Sequence, residues 1–97
     1  MKNKLVQEDI EKLIQGCKVN VATVFEKVTV VSVQLESGFV ITESSGAVSP
    51  KNYDKDLGYE ICIRRIIDRL WELEGYVLQK SIYGQGLASN KKGIDNE

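Results

Sequence analysis

Between Leu57 and Leu73, apolar residues return within every four positions: Leu57, Ile61, Ile63, Ile66, Ile67, Leu70, Trp71 and Leu73. That spacing is the mark of a helix with one apolar side. Leu57, Ile61, Ile67 and Trp71 make one ridge, and Ile63, Ile66, Leu70 and Leu73 make its neighbour. The combined stripe is wider than one thin sheet requires, so part of it is expected to face a second subunit. The helix should start near Asp54, after a turn opened by Ser49 as N-cap and Pro50 at the first helical position. Gly75 interrupts it at a cost of about 1 kcal/mol, yet Tyr76, Val77 and Ile82 prolong the apolar pattern.

Upstream the period is different. "KVNVATVFEKVTVVSVQLESGFVITES", residues 18–44, is rich in β-branched residues and alternates in places. Val19, Val21 and Thr23 are expected on one face of a first strand, with Phe25 continuing that side. Val28 to Leu35 reads as a second strand, and its paired Val30 and Val31 point apolar groups to both faces. "ESG" at 36–38 is a turn in which Gly38 supplies a positive φ, and "GFVITES" is the returning strand. Three antiparallel strands in a meander is the simplest arrangement. Before them, Leu5, Val6, Ile10, Leu13, Ile14 and Cys17 make one face of a short amphipathic helix. Glu8, Asp9 and Glu11 lie toward its positive end, and Gly16 is its stop. The predicted fold is therefore α+β: a short N-terminal helix, a three-stranded antiparallel meander and a long C-terminal helix packed on the sheet. Residues 1–83 form the single domain, and 84–97 are expected to be a flexible polar tail.

Composition narrows the function classes. Thirteen basic and fourteen acidic residues leave a net charge of −1, which disfavours generic nucleic-acid binding. The start, "MKNKLVQEDIEK", is charged and has no apolar core of a signal peptide. No apolar run approaches the roughly 20 residues of a membrane span. A cytosolic setting is expected. Cys17 and Cys62, far apart and among apolar residues, match no metal or redox spacing and read as reduced, buried thiols. At this length, pairing with a copy of itself is a common source of added stability, so a homodimer or larger assembly is expected.

Catalytic equipment is sparse. The chain has no histidine, which removes the usual general base and the usual partner of a serine or cysteine nucleophile. Phosphate-cradling and nucleophile-elbow motifs are missing. Asp54, Asp56 and Glu60, with Glu43 near them, are explained by a solvated helix start, and no metal or cofactor is expected. Arg64, Arg65 and Arg69 line one side of the helix, where Glu60 and Asp68 pair with them as ordinary surface charges. Arginines beside Tyr53, Tyr59 and Tyr76 also suit a phosphorylated, planar ligand.

The ordered string "SGFVITES", "PKNYD" and "WELEGY" resembles a family of small proteins from tailed phages and prophages. The matches are Gly38, Phe39, Glu43, Ser44, Pro50, Asn52, Tyr53, Asp54, Gly58, Trp71, Leu73, Glu74, Gly75 and Tyr76, over residues 28–79. The resemblance implies a phage or prophage origin and a host-cell setting. It carries over no catalytic residue. It draws attention to Gly58, which allows close approach of a backbone or ligand. The loop "SSGAVSPKNYD" beside the helix start is a candidate anion-binding corner.

Two functions follow as expectations. The first is a non-enzymatic module that binds and sequesters a nucleotide-derived host immune signal, using Glu43, Ser44, Ser45, Asn52, Tyr53, Arg64 and Arg65. The second is an adaptor that binds a host or phage protein directly. In either case Ile63, Ile67, Trp71 and Tyr76 are the residues expected at a subunit interface.

Overall fold

The computed structural model describes residues 4–89, with side chains to residue 86. It is α+β, as the periodicity predicts. The order is α1 (Gln7–Gln15), β1 (Lys18–Val24), β2 (Val28–Gln34), β3 (Val40–Gly46), a 3₁₀ turn at Pro50–Asn52, and α2 (Lys55–Ser89). The strands form an antiparallel meander, β1-β2-β3. Alternation sends Thr29, Val31 and Val33 of β2 and Ile41 of β3 to the face that α2 covers. There they meet Cys62, Ile66 and Leu70, spaced four apart on the helix, and Ile10 from α1. All of these are sealed from solvent. Ile63, Ile67 and Leu73, on either side of that line, are half-buried against it.

The two hairpins close differently. At the second, Gly38 takes φ 97° and donates its N–H to the Leu35 carbonyl, while Leu35 N–H reaches Phe39. That is the glycine-dependent turn predicted at 36–38. At the first, no glycine is present, and Phe25 and Glu26 both adopt left-handed backbone, φ 53° and 60°. Lys27 N–H closes the turn on the Val24 carbonyl. Phe25 therefore does not continue the β1 face: the chain reverses there, and its ring is 85% exposed. Left-handed backbone in a residue bearing a Cβ costs roughly 1–2 kcal/mol.

At 35 residues, α2 is about 52 Å long. A seven-residue strand such as β2 spans only about 23 Å. The helix therefore crosses the sheet and runs well past it. Residues 84–89, expected to begin the polar tail, continue the helix. Propagating a formed helix is far easier than starting one, so two isolated glycines, Gly84 and Gly86, do not end it. The rest of the expected tail lies outside the described residues. No helix among the described residues is long and apolar enough to cross a membrane.

Candidate functional site

The start of α2 is fastened as its sequence suggests. Ser49 Oγ accepts from Lys51 N–H at 3.2 Å, and Asp54 Oδ1 accepts from Leu57 N–H at 3.1 Å. Between these caps, Tyr53 turns inward. Its hydroxyl lies 2.9 Å from Thr23 Oγ1 and 2.7 Å from Thr29 Oγ1, tying the loop to β1 and β2. One turn into the helix, Gly58 lies against the same threonine. A Cβ there would collide with Thr29 Oγ1. The close approach expected of Gly58 is thus made by a strand side chain, and Tyr53, Thr29 and Gly58 form one structural latch. Asn52 is exposed in the 3₁₀ turn.

A second group gathers along β3. Arg65 Nη1 donates to the Ser44 carbonyl at 2.7 Å, and Arg69 Nη1 lies 3.7 Å from Glu43 Oε2. Ser45, opposite Thr29 in the register, is half-buried. Beneath them, burial pushes the Cys62 thiol up from its ordinary value of 9.0, while the Arg65 charge acts the other way. Cys62 is a free thiol, as is Cys17, which is half-buried rather than sealed. Among the described residues no group of three or more cysteine or carboxylate side chains is placed to hold a metal ion.

The sequence-predicted ligand residues therefore divide. Glu43 and Ser44 of β3 come together with Arg65 of α2, whereas Tyr53 belongs to the latch and Asn52 stands exposed in the 3₁₀ turn. Arg64, one residue from Arg65, points to another side of the helix and is exposed. It lies three residues before Ile67 and seven before Trp71, and so shares their side.

That side borders a cleft of about 470 Å³ between α1 and α2. Ile10, Ile14, Ile67 and Trp71 supply its apolar lining, and Gln7, Glu11 and Gln15 its polar lining. Gln7 Nε2 donates to Glu11 Oε2 at 2.9 Å. The α1 contribution was not recognised in the sequence, although a signal exists there. Gln7, Glu11 and Gln15 recur every four residues, directly beside the apolar Ile10 and Ile14. Of the expected interface residues, Ile67 and Trp71 line this cleft and Ile63 packs on the core. Tyr76 lies where α2 leaves the sheet, in a shallow groove with Leu35 and Phe39.

With this geometry in place, comparison with known families is informative. Residues 5–82 match the phage protein (N4 Gp49/phage Sf6 gene 66) family, and the chain belongs to it. No match was found among curated proteins or solved structures.

Proposed function

We propose that this chain is a non-enzymatic phage accessory protein that binds and sequesters a nucleotide-derived immune signal in the host cytosol. The observation that favours this reading is the α1–α2 cleft. Its volume falls within the range typical of small-molecule sites. Trp71 offers a stacking face for a base, and the amides of Gln7 and Gln15 offer the donor and acceptor pairs that a base edge requires. Arg64, on the same side of α2, supplies charge for a phosphate. The absence of histidine accords with holding a ligand rather than cleaving it. Within this reading, the site moves from the loop corner suggested by sequence to the cleft, because the Tyr53 hydroxyl is already engaged.

Trp71 is the single tryptophan of the chain, so its fluorescence reports the cleft directly. Titration with cyclic dinucleotides and ADP-ribose derivatives should give saturable quenching, a raised melting temperature, and ligand recovered unchanged. Arg64→Ala should weaken that binding about tenfold or more, the scale of a lost charge-assisted hydrogen bond. A flat response to every such compound would count against the proposal. Conversion of the ligand to a product would make the protein an enzyme.

A second reading, an adaptor for a host or phage protein, is favoured by the far end of α2, where Tyr76 and Tyr83 are 64% and 62% exposed. Such a surface is common at protein contacts. A pull-down from infected cells that loses its partner with Tyr83→Asp, while quenching is absent, would favour it over the first.

A further inference from the structure

The two edges of the sheet are treated unequally. Along β3, α2 packs over the strand, Arg65 binds the Ser44 carbonyl, and Arg69 stands at Glu43. Cations and a covering helix are how natural sheets stop an edge from pairing further. The β1 edge has no covering helix, and its one cation, Lys18, stands at its very start. Among the described residues no strand pairs with its outer side, and α2 lies over β2 and β3 instead. Its sequence, KVNVATV, has no proline and a single charge, at its first residue. Val19, on the helix-side face, is 47% exposed. A seven-residue edge of this composition is primed to accept another strand.

We propose that two copies of this chain join through the outer edges of β1, antiparallel and centred on Val21, into one continuous sheet. The strand is self-complementary in that register. Val21 meets its own copy, Asn20 faces Ala22, Val19 faces Thr23 and Lys18 faces Val24. No like charges oppose one another. Lys18 of each copy faces the last residue of the other's β1, and the turn that follows carries the opposite charge of Glu26. Residues of equal parity keep to the same face, so Val19 and Val21 of both copies remain on the helix side. The joint lies on the sheet edge and leaves Trp71 outside it, unlike the helix-centred contact expected from sequence.

The test is solution mass by sedimentation equilibrium on the full chain. The native chain should run at twice its 10.9 kDa mass, or an even multiple, at micromolar concentration. Asn20 and Ala22 are both exposed, so changing them leaves the core intact. Asn20→Glu with Ala22→Glu sets two carboxylates opposite each other on both sides of the two-fold axis. Dimer affinity should fall about tenfold or more. Asn20→Glu with Ala22→Lys replaces repulsion by attraction at the same positions and should restore it. Circular dichroism establishes that each variant is folded. A monomeric native chain, an unaltered mass for the double carboxylate variant, or failure of the lysine pairing to restore association would each overturn the proposal.

Discussion

The two halves of α2 use the same residue types for different ends. From Lys55 to Leu73 the helix lies on the sheet, and Cys62, Ile66 and Leu70 are sealed against Val31, Val33 and Ile41. Beyond Leu73 apolar residues continue at lower density, and Tyr76, Val77 and Tyr83 are exposed. Here it is flanked by the N-terminal segment, with Leu5 and Leu13 near Leu78 and Ser81, and at its start by Leu35 and Phe39. Helix-forming pattern and burial are thus separable. The pattern makes the whole length helical, but only the half facing strands gains the energy of an interior. The near half holds the fold, and the far half is surface available to other molecules.

The largest test of this contrast is truncation of one large side chain in each half. Leu70→Ala, at a fully buried position, should cost about 2–5 kcal/mol, the lost transfer energy plus a cavity. Tyr76→Ala, on the exposed far half, should fall within about 0.5 kcal/mol of the native chain. Urea unfolding at one fixed protein concentration measures both, since self-association would tie stability to concentration. Equal losses would mean that the far half is as firmly packed as the near one.

A finer test lies at the first turn of the near half. Alanine is intrinsically better in a helix than glycine by about 1 kcal/mol. Gly58→Ala should nevertheless destabilise, by about 1–3 kcal/mol, because the added methyl collides with a fixed strand side chain. The obstacle is Thr29, itself fully buried and hydrogen-bonded to Tyr53, so it has little room to give. Unfolding at or above the native denaturant midpoint would show that the sheet yields there.

How much of this was legible in the sequence depends on how local each determinant is. Periods and caps are local, so both helices, the meander, the Gly38 turn and the Ser49, Pro50 and Asp54 start all follow from it. The first hairpin was less so, because Phe25 and Glu26 carry none of the usual turn chemistry and the β-branched run passes straight through them. Register against β2 forces that reversal, and register is a tertiary property. The extent of α2 past Gly84 was hidden by its glycines, which lower propensity but do not decide it. The candidate cleft was hardest to foresee. It needs α1 laid beside α2, and no residue in α1 announces the partner on which Ile10 and Ile14 will pack. Tyr53 is legible as an aromatic beside the arginines, yet its engagement with Thr23 and Thr29 requires the sheet to be assembled.

The smallest expected effect has the opposite sign and comes from the boundary between the two halves. A methyl group added at Gly75 would meet nothing closer than Leu5 Cδ1 at 4.0 Å, which is ordinary contact. Nothing in the surroundings opposes the helix preference there, and the unfolded chain loses freedom. Gly75→Ala should therefore stabilise the protein by about 0.5–1 kcal/mol. The pair Gly58 and Gly75 thus separates the two roles of glycine within one helix, one demanded by a neighbour and one not. If Gly75→Ala also destabilises, the N-terminal segment must press on α2 more tightly than 4.0 Å allows. The far half would then share the packing of the near one, and its exposed tyrosines would be the edge of a core rather than a free surface.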